Sequence, residues 1–311
     1  MISAPAPVTV VVLTFNEERN LAACLESVCG WAEEVFVVDS GSTDGTVGLA
    51  ERFGAQVVAH PFETHARQWG WALSTLPIRT TWVLGLDADQ RLTPGLRAEM
   101  AAFVKGPTEA AGVFVARRQI FRGKWIRFGG YYPKYLLKLF RRDRVRVDPA
   151  DLVDHHFAVE GLVVKLRGDL IEDNLNEDAI AVWTAKHNRY AVLQAQQELS
   201  HTEEPVGASA LLGTPDRRVR YLKQIWRRLP LFVRPCLYIF YRYVLRLGFL
   251  DGKQGFVFHV LQGFWYRLLV DVNIDEIRAR RQARHEPAAP MNETNIDEAL
   301  STNVPHEHSR P

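Results

Sequence analysis

The first 119 residues alternate short apolar runs with amphipathic stretches. The apolar runs are rich in β-branched residues, which favour strands; these predicted strands are residues 8–14, 34–40, 55–60, 80–89 and 112–119. The stretches between them repeat apolar residues at helical spacing; these predicted helices are residues 18–29, 43–53, 64–74 and 94–104. Alternating strands and helices are typical of βαβ units on a mostly parallel sheet, so the sequence predicts an α/β fold.

Polar side chains stand where three of these strands end. They are Thr14, Asn16 and Glu17 after the first strand, Asp39 at the end of the second, and Asp87 and Asp89 at the end of the fourth. Ligands of open α/β sheets bind outside the carboxyl ends of the strands. The sequence therefore predicts a binding site along this edge.

Two of these acids, Asp87 and Asp89, are separated by a single alanine. In an extended strand their side chains project to the same side, roughly 6–7 Å apart. Two like charges so close favour a positive or polar partner, such as a hard divalent cation or the hydroxyl groups of a ligand. The alternative interpretation is a solvated turn that holds two acids.

Composition narrows the class of protein. The chain has 311 residues, 47% of them hydrophobic, which is enough for one large domain with or without an appendage. A formal net charge of +2 gives no general reason to expect nucleic-acid binding. The three cysteines, Cys24, Cys29 and Cys236, have neither a disulfide framework nor a metal spacing, and this suits a reducing compartment. Neither a signal peptide nor a transmembrane helix is predicted.

Four motifs carry a family resemblance that covers about residues 8–190. They read VVLTFNEERNLAACLESV, EVFVVDSGSTDGT, ARQWGWAL and WVLGLDADQRL. Together they resemble the family-2 glycosyltransferases, in particular the lipopolysaccharide-core β-glucosyltransferase type. The resemblance implies a GT-A fold, which is a Rossmann-like, mostly parallel sheet flanked by helices. It also implies a nucleotide-sugar donor, with a UDP-sugar favoured, a bound Mg²⁺ or Mn²⁺, and inversion at the anomeric carbon.

The resemblance also implies roles for individual residues. The nucleotide base and ribose would be held by Thr14, Asn16, Glu17 and Asp39. Arg67 would face the diphosphate, Asp87 the ribose or a metal-bound water, and Asp89 the metal. A cation held by a carboxylate suits this chemistry, because it stabilises the negative charge that builds on the departing nucleoside diphosphate.

The catalytic base is the least regular part of the resemblance. The family type commonly has VHE followed by a KLKGDL-like run, whereas this chain has VDHHFAVEGLVVKLRGDL at residues 153–170. Counting back from KLRGDL sets Asp154 at the usual His and His155 at the usual Glu. Either side chain could accept a proton near neutral pH; the other candidates are Glu160, Glu172 and Asp173. The altered motif leaves a second hypothesis open, a catalytically impaired nucleotide-binding scaffold at a membrane.

Basic residues are concentrated in two segments. Residues 117–146 contain eleven Lys or Arg and one acid, which fits an anionic acceptor, a membrane surface or a solvated face. Residues 217–246 contain nine basic residues, seven aromatic residues and no acid. Such a composition suits amphipathic helices lying in the plane of the lipid headgroups, and core helices are the alternative.

These observations predict three regions. Residues 1–200 form the catalytic domain, with a donor half at 8–119 and an acceptor half at 120–200. Residues 201–284 form a helical membrane-interface region, and residues 285–311 a disordered tail. The predicted protein is a metal-dependent hexosyltransferase that glycosylates a lipid-linked saccharide, in lipopolysaccharide or other cell-envelope synthesis. We expect it to be peripheral, on the cytoplasmic face of the inner membrane, with no nucleic-acid partner.

Overall fold

The computed structural model describes residues 4–148, 157–200, 207 and 215–284 of the chain. The strands are β1 (Ala6–Thr14), β2 (Ala32–Asp39), β3 (Gln56–Ala59), β4 (Trp82–Asp87), β5 (Gln90–Leu92), β6 (Ala110–Phe121), β7 (Lys124–Ile126), β8 (Lys134–Arg141), β9 (Val145–Val147), β10 (Phe157–Val159) and β11 (Leu162–Glu172). The α-helices are α1 (Glu18–Val28), α2 (Thr46–Arg52), α3 (His65–Thr75), α4 (Pro94–Lys105), α5 (Ile180–Ser200), α6 (Pro215–Arg228), α7 (Val233–Ile239), α8 (Gly252–Phe258) and α9 (Tyr266–Arg284).

One large sheet organises the first 172 residues. Within the described residues it has nine strands in the order β3-β2-β1-β4-β8-β6-β11-β5, with β7 beside β6. The strands β1 to β4, β6 and β11 run in one direction, and β5, β7 and β8 run against them. The predicted α/β class with a mostly parallel sheet is therefore confirmed. The carboxyl ends of the main strands share one edge, which we call the carboxyl edge.

The core lies on both faces of this sheet. On one face α1 and α4 pack through Leu21, Leu25 and Met100, and on the other α3 packs through Trp69, all of them buried. Strand β1 is buried along almost its whole length, as expected of a central parallel strand that is covered on both faces. This burial explains why its sequence reads as a continuous apolar run.

The junction of β4 and β5 differs from the sequence prediction. The strand predicted over residues 80–89 ends at Asp87, and Ala88 and Asp89 form a tight turn into β5. The side chain of Gln90 closes this turn, because its Oε1 accepts a hydrogen bond of 3.2 Å from the backbone N–H of Asp87. The two aspartates therefore do not lie on one extended strand, and the predicted extent of the strand was wrong.

The described C-terminal part is helical, as predicted. Helices α5 and α9 pack together through Ala191, Ala195 and Val270, and π-helical turns follow α7 and α8. The buried guanidinium of Arg234 joins three helices: its Nε donates to Asp271 on α9 at 2.6 Å, and its Nη1 donates to Glu198 on α5 at 3.0 Å. Among the described helices, none is both long enough and apolar enough to cross a bilayer.

The helical part is fixed to the loop that follows β7. The carboxylate of Asp251 accepts hydrogen bonds from the backbone N–H groups of Arg127 at 3.1 Å and Phe128 at 2.9 Å. The guanidinium of Arg242 donates to the carbonyl oxygen of Gly129 at 2.6 Å. These bonds attach the C-terminal helices beside the carboxyl edge of the sheet.

A buried histidine in this junction gives a pH-dependent stability. His259 is fully buried 4.0 Å from Asp251, and burial lowers its pKa from 6.5 to about 4, with Asp251 opposing and Arg242 adding to the shift. The folded protein therefore binds this proton more weakly than the unfolded chain, so the contribution of His259 to stability is fully present above pH 6.5 and is lost as the pH drops towards 4. We expect a loss on the order of 3 kcal/mol across this interval.

This prediction can be measured by urea unfolding at a series of pH values. In H259L most of the loss between pH 6.5 and 4 should disappear, because no titrating group remains at that position. An unchanged pH slope in H259L would show that other groups cause it.

Candidate active site

Two neighbouring strand ends bring Thr14 and Asp39 together at the carboxyl edge. Thr14 on β1 is paired in register with Asp39 on β2, and its Oγ1 donates to Asp39 Oδ1 at 3.0 Å. On the other side of β1, Leu13 is paired with Asp87 on β4. The register alone therefore places three of the predicted site residues on the same edge.

The carboxylate of Asp39 is almost fully buried and organises the loop that follows β2. Its Oδ2 accepts from the backbone N–H groups of Gly41 at 3.0 Å and Ser42 at 2.8 Å, and its Oδ1 accepts from Ser42 Oγ at 2.5 Å. Such bonds hold a carboxylate in one orientation. Substitution of Asp39 would therefore also disturb the loop.

Asn16 connects this loop to the end of β1. Its backbone has a positive φ of 54°, a conformation that asparagine tolerates better than most residues. The backbone N–H of Asn16 donates to Ser42 Oγ, and Asn16 Oδ1 accepts from the backbone N–H of Thr43, both at 2.8 Å. The predicted contact of Asn16 with a nucleotide base stays a prediction.

Glu17 lies in a polar network with the segment after β11. Its Oε2 accepts from Asn20 Nδ2 at 2.6 Å and from Asn176 Nδ2 at 3.0 Å. Burial raises the pKa of Glu17, although the hydrogen bond from Asn20 and the charge of Lys186 oppose this. Asn176 could not be expected here from the sequence alone, because it lies 159 residues away from Glu17.

Asp87 and Asp89 form a D-x-D motif, and the charge of its first aspartate, Asp87, is neutralised by a buried lysine. Lys138 on β8 has a side chain only 5% exposed, and its Nζ lies 3.0 Å from Asp87 Oδ2. In the sequence Lys138 was one of eleven basic residues in the segment 117–146 and did not stand out. The fold brings Lys138 close to Asp87, because β8 runs next to β4 in the sheet.

The second aspartate has different surroundings. Asp89 Oδ1 is buried and has no hydrogen-bond partner among the described residues. Burial raises the pKa of Asp89 well above its usual range, and the nearby carboxylates of Glu172, Asp87 and Glu17 raise it further. A buried oxygen without a partner, surrounded by negative charge, is the environment that a divalent cation would stabilise.

The described residues do not by themselves form a complete metal site. Across the described ranges, no three His, Cys, Asp or Glu side chains are grouped closely enough to hold a metal ion. The residues present nevertheless fit a cation in part, because Asp89 offers an unused oxygen. Further oxygen ligands would have to come from the bound substrate, from water or from residues outside the described part.

Lys186 on α5 reaches the same edge. Its Nζ lies 2.6 Å from Glu177 Oε1. Burial lowers the pKa of Lys186, but Tyr190, Glu177 and Asp89 outweigh this and raise it above the usual value. Lys186 therefore stays charged and partly offsets the negative charge around Asp89. The sequence did not single it out.

Arg67 is on the first turn of α3 and is largely exposed. It forms an ion pair with Glu63 in the preceding turn. Its neighbour Gln68 is buried and reaches the loop after β2, where its Nε2 donates to Ser40 Oγ at 3.2 Å. The predicted contact of Arg67 with a diphosphate is not tested by this geometry and stays a prediction.

The residues predicted as the catalytic base, Asp154 and His155, lie outside the described residues. The described chain resumes at Phe157, whose ring packs against Trp69 with centroids 5.0 Å apart and against Phe140 at 4.5 Å. A Cβ added to Gly85 would come within 3.1 Å of the Phe157 ring, so that glycine leaves room for it.

The three other base candidates are all paired. Glu160 is exposed and lies 2.8 Å from Arg146, Glu172 lies 2.8 Å from Arg117, and Asp173 lies 3.0 Å from Arg91; each distance joins a carboxylate oxygen to a guanidinium nitrogen. Asp173 also donates its backbone N–H to the carbonyl oxygen of Asp89 at 3.0 Å. Glu172 and Asp173 thus belong to the same edge as the D-x-D motif.

Comparison with known proteins gives one family and several relatives. Residues 9–160 match the family model described as Glycosyl transferase family 2. The lipopolysaccharide core biosynthesis glycosyltransferase LpsC of Rhizobium meliloti (strain 1021) is 30% identical over 237 residues, which is 71% of this chain and 83% of LpsC. An uncharacterized glycosyltransferase of Rickettsia conorii is 39% identical over 93 residues, which is 30% of this chain and 32% of that protein.

Solved structures similar to this chain have lower sequence identity. The mannosyltransferase PcManGT from Pyrobaculum calidifontis, in complex with GDP-Man and Mn²⁺, is 16% identical over 87% of this chain and 89% of its own, with a TM-score of 0.46. S. aureus TarS 1–349 is 14% identical over 91% of this chain and 93% of its own, with a TM-score of 0.42.

Proposed function

The chain belongs to glycosyl transferase family 2, and from this premise we propose that it moves a sugar from a nucleotide-sugar donor to a hydroxyl group of a lipid-linked saccharide. The process would be the synthesis of lipopolysaccharide or another cell-envelope glycan. The observation that carries the proposal is the carboxyl edge itself. There Thr14, Asp39, Asp87 and Asp89 meet, and Asp89 keeps a buried oxygen without a partner in the described residues.

In the proposed reaction the acceptor oxygen attacks the anomeric carbon of the donor sugar. The bond from this carbon to the diphosphate oxygen breaks, the electron pair leaves with the nucleoside diphosphate, and a protein base takes the proton of the hydroxyl group. Attack from the side opposite the leaving group inverts the anomeric configuration. Asp154 or His155 is the proposed base.

The proposed donor site uses the residues of the carboxyl edge. Thr14, Asn16, Glu17 and Asp39 would hold the base and ribose of the nucleotide, Arg67 would face the diphosphate, and Asp87 would face the ribose. Asp89 would hold the Mg²⁺ or Mn²⁺, which supplies Lewis-acid stabilisation of the departing diphosphate. The unpartnered oxygen of Asp89 supports this assignment. We expect a UDP-sugar to be the donor.

The test is a donor panel. Full-length protein is incubated with each of several UDP-, GDP- and other nucleotide-sugars, with Mg²⁺ or Mn²⁺ and a bacterial membrane extract, and release of the nucleoside diphosphate is measured. One donor should give release that depends on the extract. Nucleotide binding without any turnover would instead favour the impaired scaffold.

A membrane surface is the proposed second partner, and an exposed apolar surface supports it. Thirteen of the eighteen large hydrophobic side chains exposed among the described residues lie in one C-terminal stretch. This C-terminal apolar surface consists of Leu222, Ile225, Phe232, Val233, Leu237, Phe240, Tyr241, Val244, Leu245, Leu247, Phe249, Leu250 and Phe256. Such a concentration of exposed apolar side chains is typical of an interaction site and supports the proposal.

Charge favours an anionic leaflet as the occupant of this surface. Lys223, Arg228, Arg246 and Lys253 are exposed within the same stretch. Each basic residue near an anionic leaflet contributes about 1 kcal/mol, and insertion of apolar side chains adds to this. Because Asp251 and Arg242 attach the stretch to the loop after β7, docking would bring the carboxyl edge close to a lipid-linked acceptor.

We expect full-length protein to bind anionic phospholipid vesicles at low salt and to stay partly bound at high salt. Salt screens the charges but leaves apolar insertion intact. The double variant L245S/F249S should be released at high salt. L162S is the matched control, because Leu162 on β11 is 59% exposed and lies outside this surface. Vesicle flotation measures all three, and wild-type protein that stays free of vesicles at low salt would contradict the proposal.

A further inference from the structure

Lys138 is an unusual residue for the interior of a sheet. It is 4% exposed as a whole residue and stands between Leu137 and Leu139 on β8. Lysine is almost never buried to this degree unless its charge is paired, because removing an ammonium group from water is costly. A buried ammonium group such as this one needs a charged partner.

The ammonium group of Lys138 has more N–H donors than acceptors among the described residues. It carries three N–H donors, and one of them reaches Asp87 Oδ2 at 3.0 Å. In the part of the chain that the structure describes, Asp87 is the one acceptor within hydrogen-bond distance of Lys138 Nζ. Two N–H donors are thus left for other acceptors. Asp87 itself is 33% exposed, so the ion pair lies at an opening to solvent.

The pairing between β4 and β8 ends just before Lys138. Pairing between β4 and β8 joins Trp82 to Arg141, Val83 to Phe140 and Leu84 to Leu139, and it ends there. Lys138 is the next residue along β8 towards the carboxyl edge. Asp87 lies three residues beyond Leu84 on β4, and the 3.0 Å contact between Lys138 Nζ and Asp87 Oδ2 joins the two strands past their last paired residues.

We propose that Lys138 is a donor-binding residue whose two remaining N–H groups bind oxygen atoms of the donor's diphosphate. This inference rests on the proposed function, since it assumes a nucleotide-sugar donor at the carboxyl edge. A compact ammonium charge binds phosphate oxygens well. The carboxylate of Asp87 fixes the ammonium group in place, while the charge of Lys138 offsets that of Asp87 and so lowers the repulsion that a diphosphate would meet.

The test compares four variants of the full-length protein: K138M, D87N, the double variant D87N/K138M and the control K165M. Lys165 on β11 is exposed and contacts the ring of Tyr135, so its loss removes a lysine charge without touching the carboxyl edge. Affinity for UDP and GDP is measured by calorimetry with Mg²⁺ present, and affinity for uridine by ligand-detected NMR. The double variant guards against misfolding, because it leaves no unpaired buried charge.

We expect K138M to weaken UDP binding roughly 10- to 100-fold, the usual worth of hydrogen bonds to a charged group. Uridine binding should change little, because uridine has no phosphate. D87N/K138M should bind UDP more weakly than D87N by a similar factor. K165M should bind UDP with the same affinity as the wild type. Protein melting temperatures show whether each variant is folded.

Two results would overturn the inference while leaving the proposed function intact. Equal UDP affinity of D87N and D87N/K138M would show that Lys138 only pairs with Asp87. An equal loss for UDP and uridine in K138M would show that the contact is not with the diphosphate. Wild-type protein that binds neither UDP nor GDP and releases no nucleoside diphosphate from any nucleotide-sugar of the donor panel would instead overturn the proposed function, and this inference with it.

Discussion

Replacement of Asp89 by asparagine is expected to reduce sugar transfer roughly 10³-fold or more, because it removes the carboxylate that would hold the cation beside the departing diphosphate. The fold should survive. Burial and the nearby carboxylates raise the pKa of Asp89, so the folded protein holds this proton more tightly than the unfolded chain. Ionised Asp89 therefore costs stability at neutral pH, and D89N should melt at the same temperature as the wild type or higher.

The measurement for D89N combines a transfer assay, Mn²⁺ binding and thermal melting. D143N is the matched control, since Asp143 is an exposed aspartate that pairs with Arg141 and Arg144 on the surface. D143N should transfer sugar and bind Mn²⁺ like the wild type. Near-normal transfer by D89N in the presence of a chelator would show that the metal assignment is wrong.

Loss of the catalytic base should give the second largest effect. Whichever of Asp154→Asn and His155→Ala removes the base should lower turnover about 10²- to 10⁴-fold. Donor affinity should change little, because a base acts on the proton of the acceptor in the transition state. Steady-state kinetics with donor and acceptor varied separately measures kcat and the donor KM for each variant.

Wild-type turnover in both variants would move the base to another carboxylate. Glu172 and Asp173 would then be examined first, since both lie on the carboxyl edge near Asp89. Each would have to leave an arginine partner, Arg117 or Arg91, before it could accept a proton. Glu160 would have to leave Arg146.

The sheet could be predicted from the sequence because its signals are local. Buried parallel strands such as β1 appear as apolar runs, and α4 begins where Thr93 and Pro94 predict, with Thr93 Oγ1 accepting from the backbone N–H of Leu96 at 3.3 Å. Because the carboxyl ends of parallel strands lie at the same edge of a sheet, the sequence also predicted that Thr14 and Asp39 would share an edge. The register of β1 and β2 confirms it.

What the sequence could not predict depends on distant contacts. Lys138 is separated from Asp87 by 51 residues, and only the antiparallel placement of β8 beside β4 makes it part of the site. The turn at Ala88 and Asp89 was missed for a similar reason. The turn forms because β5 pairs with β11. Residues 82–92 alone do not indicate that β11 is the partner strand.

In the C-terminal region, too, the sequence predicted the secondary structure but not the contacts of individual side chains. The basic and aromatic composition of residues 217–246 predicted helices, which the structure confirms for its described residues. Composition could not predict which side chains would be exposed. Arg234 resembles its basic neighbours in the sequence, yet it is buried between Glu198 and Asp271. Leu245, by contrast, is 62% exposed although it is apolar.

The most direct test of the central claim is transfer of a labelled sugar. Full-length wild-type protein and D89N are incubated with a panel of radiolabelled nucleotide-sugars, UDP-sugars among them, with Mg²⁺ or Mn²⁺ and membrane extract, and label is counted in the lipid-linked saccharide fraction. We predict label in that fraction with one donor for the wild type and almost none for D89N. Label that reaches the fraction equally with both proteins, or with neither for any nucleotide-sugar, would contradict a glycosyltransferase site at the carboxyl edge.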